Sequence, residues 1–433
     1  MSLQRFKRGG AAVAVVGGLV GVAALTGLLP DPTSASAPAP RTLTPSVAPA
    51  ITPSTWANHL PEHSDSAAEA RLVGVYRLVS QGNTRKALAE AQNLARDYPH
   101  FQLAHLAVGD LLLSRSRGLR QLGDIPAAEA PPSSTLQELR DESLQRVTAL
   151  KMRPPVGSVP AQFLELPPSY KHAIAIDAAR SRLYLFENSA QGMKLVADFY
   201  SSVGKLGIEK VVEGDQRTPL GVYFITSRLD PKGLRDFYGS GALPINYPNP
   251  LDQSRGKTGS GIWLHGTPPN QFSRAPLATD GCVVLANPDL ERILRTVAPR
   301  STPVVIAKQL QWVQPGSMQA ERLAFEATLD AWRTAKTNGD MQQLMNFYAP
   351  NFQGHKNKPL QEWVQVLQAE TKALQGRQIQ LKDKSYLRWT DSADTMVVTF
   401  GEVAEGARSG PVKRQYWMRN GQQWQIFFEG VIG

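Results

Sequence analysis

Cysteine is nearly absent: Cys282 is the only one in 433 residues, so no disulfide framework can form within the chain. Long runs of like charge are missing too. The net charge is +10, yet no five or six basic residues follow one another, which excludes a nucleic-acid-binding arm. The excess of +5 over 170–310 suits an anionic polymer instead. Metal-ligand spacing is also lacking. His59 and His63 flank Pro61, His100 and His105 fall in a helical stretch, His172 opens a strand and His355 sits in a polar loop. None pairs with acids or thiols at zinc spacing, so no metal is expected.

What is present begins with Arg5, Lys7 and Arg8 ahead of an uncharged stretch, Gly9 to Leu29. At about 1.5 Å per residue it spans a hydrocarbon core of about 30 Å. Basic residues before it stay in the cytoplasm and the rest crosses the inner membrane. The small residues of "SASA" (Ser34–Ala37) offer the alternative of a cleaved signal. The apolar run exceeds an ordinary signal core, which favours an anchor over secretion. Either way the protein is exported, to the periplasm or beyond. In an oxidising compartment an unpaired thiol is an inert buried residue, an intermolecular bridge or a nucleophile.

The chain divides as an α+β multidomain protein. Residues 1–29 are the anchor or signal, and 30–59 a Pro/Ala-rich tether with seven prolines between 30 and 55. Residues 60–155 are helical. Leu72, Val75, Tyr76 and Val79 share one face, Thr84 caps a second helix that Pro99 stops, and Leu103 to Leu112 make a third. Thr135 and Glu138 read as a capping box for a fourth. The region resembles tetratricopeptide-type hairpins. Over 170–308 the period changes to two. Strands are expected at 172–177 and 182–187 around a turn at 178–181, then at 195–201, 221–226, 261–265, 282–286 and 304–307. Asn287-Pro288 reads as an N-cap and N1 pair opening a helix. Residues 319–433 read as helices followed by an antiparallel sheet with an Asn420-Gly421 hairpin.

A thiol at neutral pH needs a base within hydrogen-bonding reach to become a nucleophile. His265 ends the strand "GIWLH", Gly266 lets the chain bend away, and Cys282 starts another strand 17 positions later. A Pro/Gly/Ser-rich loop joining the two strand ends would bring imidazole and thiol together, with the amides of Gly281 and Cys282 facing a developing oxyanion. The other reading is a buried structural cysteine and a core histidine that never meet.

"IWLHGTPPNQFSRAPLATDGCVVL" and "RTPLGVYFIT" (Arg217–Thr226) resemble the L,D-transpeptidase (YkuD-type) catalytic domain. Its signature is a strand-end His-Gly, a loop, and a Ser/Thr-x-Gly-Cys run, with a Thr-Pro-x-Gly-x-Tyr strand upstream. The resemblance implies a β-rich fold acting without cofactor on peptidoglycan stem peptides. Cys282 would attack the carbonyl before the terminal D-alanine, His265 would be general base and acid, and the Gly266 carbonyl would orient its ring. Two positions depart from the family: Asp280 stands where a second histidine is usual, and Val284 where an arginine is usual. Thr279, Asp280, Tyr247, Trp263 and Arg274 are the further candidates for contact with substrate. Residues 319–433 resemble nuclear-transport-factor or SnoaL-like domains, which implies an accessory that dimerises or binds a partner.

Three functions follow as alternatives. The first is an L,D-transpeptidase passing a thioester to an amine. The second is an L,D-carboxypeptidase or amidase, acting on stem peptides or on a wall-attached protein. The third is an inactive wall-binding scaffold.

Overall fold

A computed structural model describes residues 65–119, 121–124, 134–390 and 394–432, all within one unit, Ala50–Gly433. The apolar segment 9–29, the small-residue site 34–37, the tether and His59 and His63 lie outside the described residues. Among those described, no helix is long and apolar enough to cross a membrane.

Apolar residues at helical spacing close the first layer. Helices Ala67–Ser80, Thr84–Asp97, Gln102–Leu113 and Ser134–Lys151 bury Leu72, Val75, Leu88, Leu94, Leu103 and Val147 against one another. Two helix starts differ from expectation. Thr84 is the first helical residue, not a cap: Gly82, at φ 75°, turns the chain and Asn83 takes the cap position. Thr135 likewise lies inside its helix, which begins at Ser134.

The alternation from His172 onward builds a five-stranded sheet. Its order is Gly192–Tyr200, Arg182–Ser189, His172–Asp177, Pro303–Ala307, Gly221–Phe224. His172–Asp177 and Pro303–Ala307 run parallel and the other pairs antiparallel. Across a shared core of Ile174, Ile176, Leu264, Val283 and Ile293 lies a second sheet of three strands, Val283–Val284, Trp263–His265 and Ala242–Pro244. This smaller sheet carries the imidazole, and the thiol immediately precedes one of its strands.

The C-terminal region folds helices Gln319–Asn338, Met341–Met345 and Leu360–Leu374 onto a curved sheet. Four consecutive antiparallel strands, from Ile379–Trp389 to Gln423–Val431, form most of it. Gly339 closes the first helix in the left-handed region at φ 70°, where a side chain is strained, and the Asp340 carboxylate caps the next. The stretches between the expected domains are themselves paired. Val159–Pro160 lies against Trp312–Val313, and Phe163–Glu165 joins the edge of the C-terminal sheet beside Tyr386 and Leu387. One hydrophobic cluster therefore runs from Phe186 and Phe224 through Leu310 to Trp332 and Trp417.

Candidate active site

Strands Trp263–His265 and Val283–Val284 run parallel, with Leu264 opposite Val283 and His265 opposite Val284. Side chains alternate along a strand. This register therefore sends Trp263, His265, Val284 and Cys282, two positions before Val284, to the same face. Cys282 immediately precedes this strand, so its place on that face follows from extending the alternation by one residue.

His265 is almost wholly buried, and its Nδ1 lies 2.7 Å from the Gly266 carbonyl oxygen. A carbonyl only accepts, so Nδ1 carries the proton and Nε2 keeps its lone pair. Burial pulls the imidazole down to about 4; the Gly266 bond opposes this and the nearby Arg274 charge adds to it. Around neutral pH the ring is a neutral base.

Cys282 is half-buried, and its Sγ lies 3.4 Å from the Gly261 carbonyl oxygen. Burial pushes the thiol up. A backbone hydrogen bond with Trp263 and the charges of Arg274 and Lys210 favour the thiolate, while Asp280 disfavours it. The resting pair is thus thiol and neutral imidazole, which suits proton transfer during attack.

The turn before the thiol demands glycine. Gly281 has φ +123°, and a Cβ there would come 2.7 Å from the Arg217 carbonyl oxygen. Thr279 knits this turn: its Oγ1 donates to the Cys282 carbonyl at 2.7 Å and accepts from the Gly281 amide at 3.1 Å. Both expectations there change. Thr279 serves the turn, and the Gly281 amide already has a partner instead of facing an oxyanion.

Asp280 is exposed, held by Lys205 Nζ at 3.0 Å and Gln216 Nε2 at 3.1 Å. Tyr247, expected to line the cleft, packs into the core against Tyr223, and its hydroxyl donates to the Thr258 carbonyl at 3.1 Å. Trp263 is half-buried with its ring 4.7 Å from Tyr238. Arg274 lies beside the dyad, its guanidinium 4.6 Å above the Phe237 ring.

Several neighbours escaped the sequence reading. Phe237 and Tyr238 set their rings 5.7 and 5.0 Å from that of His265, walling the imidazole. Only "DFYG" ahead of a strand hinted at them. Asn287 is not the helix cap; Ala286 takes that position. The Asn287 Oδ1 instead accepts from the Ser240 and Thr267 amides, and its Nδ2 donates to the Thr267 carbonyl at 2.9 Å. It thereby fixes the loop that carries Gly266. A cleft of about 690 Å³ is lined by Lys210, Arg255, Lys257 and Lys308 and by Trp389 of the C-terminal sheet. Neither Cys282 nor His265 lines it, and the candidate site is placed at Cys282 because the residue precedes the strand paired with the one that ends at His265, whose ring is held by the Gly266 carbonyl.

These features agree with family comparison. Residues 171–306 match the L,D-transpeptidase catalytic domain (YkuD), and residues 324–430 match the Cds6 C-terminal NTF2-like domain. In one stretch the chain thus matches a catalytic domain of typically cysteine-dependent enzymes, and in a later one it matches an NTF2-like domain. Among solved structures it resembles Bd1075 of Bdellovibrio bacteriovorus, with a TM-score of 0.54 and 23% identity over 63% of this chain and 98% of that one. It also resembles the helical cell shape determining protein Pgp2 of Campylobacter jejuni, with a TM-score of 0.51 and 19% identity over 66% and 98%. At these identities the likeness is one of fold. Comparison with curated protein sequences gives no match.

Proposed function

We propose that this protein is an exported, membrane-tethered cysteine acyltransferase acting on peptidoglycan stem peptides. The observation that carries this reading is the buried His265, its Nδ1 bound to the Gly266 carbonyl and its strand in register with that of Cys282. His265 Nε2 takes the Cys282 proton as Sγ attacks the carbonyl preceding the terminal D-alanine. The C–N bond breaks, the leaving amine receives that proton, and a thioester remains. An incoming amine, deprotonated by His265, attacks the thioester. This forms the new amide and returns the proton to sulfur. The Cys282 amide is the oxyanion donor in this scheme.

Water in place of the amine gives the L,D-carboxypeptidase. The departures at Asp280 and Val284 keep that reading open, because they alter the surroundings of the thiol without removing nucleophile or base. Incubating purified tetrapeptide muropeptides with and without an amine acceptor, followed by mass spectrometry, separates the two. Cys282→Ala should abolish release of D-alanine. Release that persists in this variant refutes the reading, and absence of release by the wild-type chain favours the scaffold.

A further inference from the structure

The loop between His265 and Cys282 is clamped from outside the catalytic domain. The Phe272 ring lies 4.4 Å from Phe101 and 5.4 Å from Tyr98, and its amide donates to the His100 carbonyl at 3.3 Å. Ser273 Oγ donates to Glu142 at 2.7 Å. Tyr200 donates its hydroxyl to the Arg274 carbonyl at 2.8 Å, and Arg146 of the helical region stacks 3.9 Å over the Tyr200 ring. Three consecutive residues are thus gripped, and the last is an arginine.

Arg274 is half-buried, with Nε donating to Gln271 at 3.3 Å. Among the described residues no carboxylate lies within ion-pair distance of its guanidinium. This contrasts with Arg146 and Arg182, each of which holds a buried acid within 3 Å. Holding a cation partly out of water without an anion is costly unless something supplies one. Its charge acts on both His265 and Cys282.

Building on the acyl-transfer reading, we infer that Arg274 binds the terminal carboxylate of the stem peptide, one residue beyond the scissile carbonyl. The helical region 67–151 holds the loop so that this guanidinium faces the thiol. A planar guanidinium pairs with a carboxylate through two parallel hydrogen bonds. It would therefore select peptides ending in a free acid. Phe272 is the positioning residue, acting through Arg274.

The test needs no turnover. Cys282 in the full chain is alkylated with iodoacetate and, separately, iodoacetamide, which differ in carrying a carboxylate or a neutral amide. The ratio of the two rate constants cancels any change in thiol acidity. Arg274→Gln should lower the iodoacetate-to-iodoacetamide ratio about fivefold or more, and Arg274→Lys should restore part of it. Phe272→Ala should shift the ratio in the same direction with the arginine intact. An unchanged ratio in Arg274→Gln, with iodoacetamide still reacting, overturns the assignment. An unchanged ratio in Phe272→Ala alone removes the helical region from it. With substrate, wild type should favour a tetrapeptide with a free terminal carboxylate over its terminal amide, and Arg274→Gln should lose that preference. If wild type turns over neither peptide, the acyl-transfer reading fails, while the alkylation ratio still decides whether this guanidinium recognises a carboxylate.

Discussion

Glu69 and Arg182 meet at 2.9 Å with both side chains fully buried, although 113 residues separate them and they belong to different layers. Arg146 shares the same carboxylate at 2.8 Å. Removing Glu69 takes one of two carboxylates from each of two buried guanidinium groups, which keep Glu142 and Asp198, so Glu69→Ala should cost about 3–5 kcal/mol in urea unfolding. The pair Arg71–Asp97 is shorter still, at 2.6 Å, but exposed. Asp97→Ala should cost below about 1 kcal/mol, because water and salt screen it. Equal losses for the two would contradict the burial argument.

A base held near 4 predicts an unusual pH profile. His265 must be unprotonated to accept the thiol proton. The acid limb of kcat/KM for D-alanine release should therefore fall near pH 4, well below the ordinary imidazole value of 6.5. A limb at the ordinary value would mean the ring is more hydrated than its burial indicates.

Asp289, in the first turn of the helix Asn287–Thr296, is pushed up to about 7, chiefly by burial and next by the Glu69 charge. The folded state therefore keeps a proton that the unfolded chain sheds above 3.8. Its stabilising contribution is complete below that value and is lost as pH rises through 7. Asp289→Asn cannot shed a proton. Relative to wild type it should gain on the order of 2–4 kcal/mol between pH 4 and pH 8, read from unfolding curves at the two pH values.

Gly281→Ala forces a side chain against the Arg217 carbonyl at a positive φ. It should cost about 1–3 kcal/mol by thermal melting and lower turnover about tenfold or more, since the turn aims the thiol. Asp280→Asn, one residue earlier and exposed, should change stability by less than about 0.5 kcal/mol.

How far the chain could be read from its residues depended on distance along it. The His172–Asp177 and Arg182–Ser189 hairpin, the strand ending at His265 and the Asn420-Gly421 turn all follow from local alternation and turn chemistry, and stand where expected. The Gly266 contact was legible because a motif resemblance supplied it. Tertiary contacts reassigned other residues. The Asn287 amide is recruited by Ser240, 47 positions away, in preference to its own helix. The Tyr247 hydroxyl finds Thr258 once the core closes. Phe237 and Tyr238 gain meaning only when a three-residue strand brings His265 beside them. The grip of Phe101 on Phe272 spans 171 positions and has no local signature.

The pairing of Phe163–Glu165 with Tyr386 and Leu387 has a consequence for biogenesis. A ribosome releases the first of these segments more than two hundred residues before its partner, so the edge must stay unmated until the later strand emerges. A nascent chain arrested between the two would display that bare edge to any neighbour. The catalytic module and the C-terminal curved-sheet domain are therefore sealed together late in synthesis, by the stretch of chain that leads into the first of them.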